Sequence, residues 1–238
     1  MITWYNFGQF QDADSITPVM MQEIMTTASA KTAALRDTPV LQLATILDRV
    51  GQRLADPHDS VRSEIMAIMP ALISFAPAMI EAGLGAICEI LRFDSLIKRL
   101  QVDLDRVEYI DAFTWHDDFI GLMRAMQQGV VANVSAGNVF VSAVDTLVQG
   151  ILTKNINILK MSSFDPIFPL IFAKLVKECD PQGLLYPYFC LVPFKGGDQE
   201  IEQIIKEQAD VVSVYGGKEV VELYRRGRGL HTKEVEYG

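Results

Sequence analysis

The chain has 238 residues, half of them hydrophobic, which is enough to fill the core of one large domain or two small ones and excludes a disordered tail. It carries 21 Lys and Arg residues against 30 Asp and Glu residues, a formal net charge of −9. This acidic balance excludes a protein that coats nucleic acid or anionic membrane through its overall field, because both are negatively charged themselves.

The cysteines and histidines predict neither disulfides nor a metal site. The three cysteines form no CxxC pair, and the three histidines lie far from them and from one another, so no zinc site follows from the spacing. The first residues, MITWY, lack the basic segment that opens a secretory signal. We therefore expect a cytoplasmic protein without a bound metal.

The first half of the chain has helical spacing. Thr17 and Thr38 each precede a proline, an arrangement typical of a helix start because the hydroxyl can cap the helix and proline needs no N–H partner there. An amphipathic helix is predicted from Pro39 to about residues 51–56. Residues 65–80 carry no charge, but a membrane span needs about 20 apolar residues and two prolines interrupt these, so a buried helix pair is favoured.

Residues 102–119 mix charged with β-branched and aromatic residues. Their pattern predicts a short hairpin or edge strand that includes Val102, Leu104, Tyr109 and Ile110. Four apolar runs then alternate with helical patterns, at residues 129–134, 156–159, 189–192 and 210–214. Such runs are typical of parallel strands covered on both faces, so we predict an open, mainly parallel α/β sheet with ligands at the carboxyl ends of its strands.

Three loops after these strands have residues suited to ligands. Asn138 follows small residues at a helix start, where N–H donors could face a negative oxygen or simply cap the helix. Lys160 with the hydroxyls of Ser162 and Ser163 could bind a sugar or phosphate, although a lone lysine at such a position usually faces solvent. Gly216 and Gly217 free the backbone to approach a pyrophosphate, but the turn matches neither GxGxxG nor a P-loop. A basic cluster follows, either a phosphate site or, as we favour, a solvated helix end: Arg225, Arg226 and Arg228.

In this order and spacing, the segments GVVANVSAGNVF, GILTKNINILKMSSFDP, VVSVYGGKEVVELYRR and HTKEVEYG resemble the acyl-CoA reductase family of bacterial luminescence, within the aldehyde dehydrogenase superfamily. The resemblance covers about residues 60–238. It implies a mainly helical N-terminal region, residues 1–128, packed on a Rossmann-like nucleotide-binding part with helices on both faces, residues 129–238.

The resemblance also assigns roles. Asn138 matches the oxyanion-hole asparagine, and Glu236 matches a glutamate that is a general base in the oxidising enzymes. Ser163 stands where NAD-preferring relatives have a glutamate, so the resemblance implies NADPH as cofactor. The other implied cofactor-binding residues lie in the same loops, with Lys160 at the adenosine ribose and the two glycines under the pyrophosphate: Ser135, Lys160, Ser162, Gly216 and Gly217.

The family reduces acyl-CoA or another acyl thioester to an aldehyde through a cysteine that lies beyond the matching segments. Cys88, Cys179 and Cys190 are predicted to be buried hydrophobic residues, not nucleophiles. We therefore expect a cofactor-binding part without the C-terminal catalytic domain, inactive alone and associating as a homo-oligomer or with a partner subunit, with no nucleic acid and no membrane span. The alternative is a non-catalytic nucleotide-binding or interaction module.

Overall fold

The computed structural model describes residues 1–73, 75–135 and 140–237. Its first part begins with a pair of strands, continues with helices and ends in a hairpin: β1 (Ile2–Asn6), β2 (Gln9–Ala13), α1 (Pro18–Arg36), α2 (Val40–Ala55), α3 (Ser60–Leu72), α4 (Pro77–Leu91), α5 (Phe93–Leu104), α6 (Glu108–Asp111), β3 (Thr114–His116) and β4 (Gly121–Met123). Strands and helices then alternate: β5 (Val130–Val134), α7 (Phe140–Leu152), β6 (Ile156–Lys160), α8 (Phe168–Cys179), β7 (Phe189–Val192), α9 (Gln199–Gln208), β8 (Val211–Tyr215), α10 (Lys218–Arg225) and β9 (Lys233–Tyr237).

The main sheet has the strand order β2-β1-β7-β6-β5-β8-β9. The five strands from β7 to β9 run parallel, while β1 lies antiparallel to both β7 and β2. The four predicted apolar runs form β5, β6, β7 and β8, and every residue of β5 and β7 is buried. The predicted open, mainly parallel sheet is therefore confirmed.

Helices cover both faces of the sheet. On one face α1 packs on β5 and β6 and against α9, while on the other α7 packs on β6 and against α8. The parallel connections β5-α7-β6 and β6-α8-β7 run in one direction along the sheet and β7-α9-β8 runs back, which places α7 and α8 on one face and α9 on the other. An outer layer follows, in which α2 packs on α8 and α4 packs on α7. One hydrophobic core runs through all layers and includes Leu47, Val144 and Leu191.

Of the two predicted threonine caps, Thr17 is confirmed and Thr38 is not. The Thr17 hydroxyl accepts the backbone N–H of Met20 at the start of α1, with Pro18 in the first turn. The predicted amphipathic helix is α2, although its N-cap is Pro39 instead of Thr38. Residues 65–80 contribute to α3 and α4, with Pro70 inside α3. Within the described part of the chain, no helix is long and apolar enough to cross a membrane.

The strand prediction for residues 102–110 is wrong. Val102 and Leu104 lie at the end of α5, and Tyr109 and Ile110 lie in α6. The helical spacing of Leu96 and Leu100, both buried, continues to Leu104, so Val102 and Leu104 complete α5 before the chain turns at Asp105. The hairpin forms later, from β3 and β4.

Candidate functional site

The candidate site lies at the carboxyl edge of the parallel sheet. From β5 the chain proceeds to β6 and β7 on one side and later crosses to β8 and β9 on the other. In open α/β sheets such a change of direction leaves a crevice at the carboxyl ends of the strands. Val134 at the end of β5 pairs with Lys160 of β6 and with Val214 of β8, so the three predicted loops start side by side.

Ser135 and Lys160 are in direct contact. The Ser135 hydroxyl donates to the Lys160 carbonyl oxygen at 3.0 Å and joins the loop after β5 to the end of β6. Asn138, in the same loop as Ser135, lies outside the described residues.

The Lys160 side chain lies in a partly desolvated niche. Its Nζ is 5.3 Å from the centroid of the Phe194 ring and 3.9 Å from where a Cβ on Gly196 would lie. Burial lowers the pKa of Lys160, and the charge of Glu202 partly opposes this shift. Among the described residues, none forms a hydrogen bond or ion pair with Nζ. The ammonium is therefore available to an acceptor on a ligand.

Glu202 is a residue of this site that the sequence analysis missed. It is 1% exposed, and its Oε1 accepts the Gly197 N–H at 2.9 Å and the Tyr224 hydroxyl at 3.4 Å. Its Oε2 is buried without a partner in the described structure. In the sequence Glu202 is one glutamate among several on an amphipathic helix, and its contact with Tyr224 of α10 appears only in the folded chain.

The loop after β6 also contains a buried carboxyl that was missed. The Ser162 hydroxyl accepts the Phe164 N–H at 3.1 Å, and the Ser163 side chain is exposed. Asp165 is buried; its Oδ1 accepts the Phe168 N–H at 3.0 Å, while Oδ2 has no partner among described residues. Burial raises the pKa of Asp165 to about 6. The loop thus exposes the Ser163 hydroxyl to solvent and buries the Asp165 carboxyl.

The two glycines form the turn from β8 into α10. The Gly216 N–H donates to the Tyr237 carbonyl oxygen at 3.2 Å, and Gly217 is the N-cap of α10. A Cβ on Gly216 would lie 3.1 Å from Val220, whereas one on Gly217 would meet no atom within 4 Å. The open space at Gly217 lies beside the N-terminus of α10, where helix N–H groups favour an anion.

Glu236 lies on β9, paired with Val214 of β8. Arg225 holds its carboxylate from two sides: Nε lies 2.9 Å from Oε1, and Nη2 lies 2.5 Å from Oε1 and 2.6 Å from Oε2. These hydrogen bonds lower the pKa of Glu236. In this arrangement the carboxylate is a weak base, so a general-base role would require Arg225 to release it.

The basic cluster is neutralised by neighbouring carboxylates. Arg225 pairs with Glu236 of β9. The other two arginines also form ion pairs: Arg226 with Glu222 of α10 at 3.6 Å and Arg228 with Glu234 of β9 at 3.0 Å. This agrees with our preference for a helix end over a phosphate site.

The family follows from comparison with known proteins. The family model described as Acyl-CoA reductase (LuxC) matches residues 35–238. The chain belongs to this family. It is 27% identical over 199 residues to the long-chain acyl-protein thioester reductase of Photobacterium phosphoreum, and 24% identical over 225 residues to that of Aliivibrio fischeri. These matches cover 83% and 92% of this chain but 40% and 47% of the relatives, so the chain spans less than half of their length.

Solved structures show the same fold. Aldehyde dehydrogenase C from Pseudomonas syringae, in complex with NAD⁺ and octanal, has a TM-score of 0.77 at 16% identity, covering 100% of this chain and 50% of that one. The glyceraldehyde-3-phosphate dehydrogenase GapN from Methanocaldococcus jannaschii, in complex with NADP, has a TM-score of 0.66 at 15% identity, covering 99% and 49%. The predicted Rossmann-like, aldehyde dehydrogenase-like fold is confirmed.

The acyl-CoA reductase family member has no activated thiol among its described residues. Cys88 is half-buried, and Cys179 and Cys190 are buried. Burial raises the pKa of all three thiols, which keeps them protonated and poorly nucleophilic. Within the described ranges, no group of three His, Cys, Asp or Glu side chains is placed to hold a metal ion.

Proposed function

We propose that this chain is the NADPH-binding part of a cytoplasmic reductase that converts a fatty acyl thioester, on CoA or on a protein, to an aldehyde. The observation that carries the proposal is the Lys160 ammonium at the carboxyl edge of the sheet, which has no hydrogen-bond or ion-pair partner among the described residues and lies near the glycine turn at Gly196. Family membership supports the reaction class, and the exposed Ser163 supports NADPH because no carboxylate at that position repels a 2′-phosphate.

The residues of this edge suit a dinucleotide. Lys160 offers a charge-assisted donor to a ribose or phosphate oxygen, and Ser135 holds the end of β6 in place through the Lys160 carbonyl. Gly216 and Gly217 let a pyrophosphate approach the N-terminus of α10. The nicotinamide, when bound, supplies the hydride that reduces the thioester.

The remaining roles complete the proposal. Asn138 would donate its amide to the oxygen that becomes negative during reduction, and Glu236 would act near the same carbonyl. The thiol that accepts the acyl group would come from outside this chain, since none of Cys88, Cys179 or Cys190 is activated. We therefore expect dinucleotide binding without turnover.

Calorimetry tests the binding site directly. We expect NADPH to bind the wild-type chain more tightly than NADH, and Lys160→Met to weaken NADPH binding about tenfold or more, in line with the loss of one hydrogen bond to a charged group. Methionine keeps an unbranched apolar side chain of similar length. Lys174→Met is the matched control, because Lys174 pairs with Glu64 on another surface. The proposal fails if neither dinucleotide binds, or if Lys160→Met binds as tightly as the wild type.

A further inference from the structure

The two-glycine turn before α9 separates two charges with unused hydrogen-bonding capacity. On one side the Lys160 Nζ lies 3.9 Å from the Cβ position of Gly196. On the other side the Glu202 carboxylate accepts the N–H of the next residue, Gly197, at 2.9 Å. The ammonium has no hydrogen-bond or ion-pair partner, and Oε2 of Glu202 has none, within the described chain.

The burial of Glu202 lowers the stability of the folded chain. A carboxylate that is 1% exposed loses its hydration, and proteins usually compensate such a charge with a full set of partners. Here Gly197 and Tyr224 share a single oxygen. Because the charge is buried, its electrostatic interactions with neighbouring groups are strong and are only weakly screened by salt. Lys160 responds to it, since Glu202 raises the pKa of that ammonium against the effect of burial.

The Lys160 ammonium and the Glu202 carboxylate together discriminate between a phosphate and a neutral hydroxyl on a ligand. A free ammonium alone attracts any anion and would favour a phosphate over a hydroxyl. A buried carboxylate behind the same turn repels a phosphate carrying one to two negative charges, but leaves a neutral hydroxyl unaffected. The pair is therefore better matched to a ribose hydroxyl than Lys160 would be alone.

We propose that Glu202 is a specificity-determining residue of the cofactor site, whose buried charge favours a 2′-hydroxyl over a 2′-phosphate. It limits the preference for NADPH that Ser163 provides. The inference rests on the proposed function, because it takes the adenosine ribose to lie at Lys160. Glu202 acts through its charge and through the turn at Gly197, without contact to the reacting atoms.

The test compares two affinities in each variant. The dissociation constants of NADH and NADPH are measured by calorimetry for wild type, Glu202→Gln and Glu200→Gln. Glutamine keeps an acceptor for the Gly197 N–H, and Glu200 is an exposed neighbour on the same helix. We expect Glu202→Gln to shift the affinity ratio towards NADPH by about tenfold, the order of effect of one unit charge across several ångströms at an effective dielectric constant of about 20. The Glu200→Gln ratio should equal that of the wild type.

Thermal melting checks that each variant is folded. Should Glu202→Gln not fold, Glu202→Met replaces it, because methionine is neutral and of similar length and removes the unpartnered Oε2, although the Gly197 N–H and the Tyr224 hydroxyl lose their acceptor. An unchanged ratio in a folded variant that binds both dinucleotides overturns the role of Glu202 and leaves the proposed function intact. Absence of binding by the wild type overturns the proposed function itself, and this inference with it.

Discussion

Two carboxyl groups at the carboxyl edge of the sheet, Asp165 and Glu202, are buried with one oxygen each lacking a partner among described residues. Buried polar atoms nearly always find a partner, because an unsatisfied one costs about 1–3 kcal/mol. Asp165 lies in the loop after β6 that the sequence indicated as ligand-binding, and Glu202 lies behind the Gly196–Gly197 turn beside Lys160. Buried carboxyls beside a crevice are typical of a surface organised for a ligand at the expense of stability.

Asp165 predicts a measurable pH dependence. Its pKa is about 6 in the folded chain and about 3.9 in an unfolded one. Between these values the folded state binds more protons, so the contribution of Asp165 to stability is greatest below pH 4 and is lost as the pH rises through 6. Asparagine does not titrate, so the variant Asp165→Asn should not lose this stability. Relative to wild type, its free energy of unfolding should rise by about 2 kcal/mol between pH 4 and pH 7. Urea unfolding at several pH values measures the difference.

Asp59→Asn is the control of opposite sign for that experiment. The hydrogen bond from Arg53 lowers the pKa of Asp59, so its contribution to stability is present above its unfolded pKa and is lost as the pH falls. The variant Asp59→Asn should therefore be less stable than wild type near neutral pH, and the difference should shrink as the pH falls. A difference between wild type and Asp165→Asn that does not vary from pH 4 to pH 7 would contradict the assignment.

The residues of the site differ in how far sequence could predict them. Lys160 directly follows a buried apolar run, so its place at the edge of the sheet followed from the strand itself. Glu202 carries no such signal, because amphipathic helices place glutamates at any polar position. Its partner Tyr224 lies 22 residues further along the chain, so no local pattern indicates the contact.

Among the elements, the central strands were predictable and the edge strands were not. β5 to β8 are covered on both faces and therefore read as apolar runs. β9 has the sequence KEVEY and is largely exposed, so its alternation of charges hides a strand. β1 pairs with β7 from the opposite end of the chain, a long-range contact that no local pattern encodes.

Several elements are joined by one buried lysine in the turn between α7 and β6. The Lys154 Nζ donates to the Arg36 carbonyl oxygen at 2.8 Å, at the end of α1, and lies 2.5 Å from Asp111 in α6. Asp111 also accepts the Val40 N–H at the start of α2. A single ammonium thus fixes the arrangement of three helices against the sheet.

Lys154→Met should destabilise the chain by about 3–5 kcal/mol, because it leaves the Asp111 carboxylate partly buried without its counter-charge. Chemical denaturation followed by circular dichroism measures the loss. Lys174→Met is the matched control: the Lys174–Glu64 pair is largely exposed, and such pairs contribute about 1 kcal/mol or less. Equal losses of unfolding free energy in the two variants would show that the buried pair contributes no more to stability than the exposed one.

At the scale of the whole molecule, the helical and sheet parts share their core. Buried residues from β1 to α10 form one cluster, and α2 and α4 lie directly on α8 and α7. Removing the helical part would uncover apolar faces of α7 and α8, which are buried along most of their length. The division at residue 128 stays a prediction about where the nucleotide binds, and the two parts are expected to unfold together.

The β3–β4 hairpin and its flanks expose large apolar side chains. Between 49% and 77% of each of these residues is accessible: Phe113, Trp115, Phe119, Ile120 and Leu122. Aromatic side chains bury roughly 150–250 Å² each when covered, so the patch offers several hundred Å², a size typical of interaction sites. An isolated two-stranded hairpin is also only marginally stable in water. We propose that a second copy of this chain covers the hairpin.

Sedimentation velocity over a range of concentrations tests this association. We expect the wild-type chain to form a dimer or larger assembly, and the double variant Phe119→Ser, Leu122→Ser to shift towards monomer because it replaces two of the five apolar side chains of the patch. A double variant of exposed leucines elsewhere, Leu41→Ser with Leu230→Ser, should associate as the wild type does. A wild-type chain that stays monomeric at every concentration would contradict self-association. Equal association of both double variants would instead place the interface away from the hairpin.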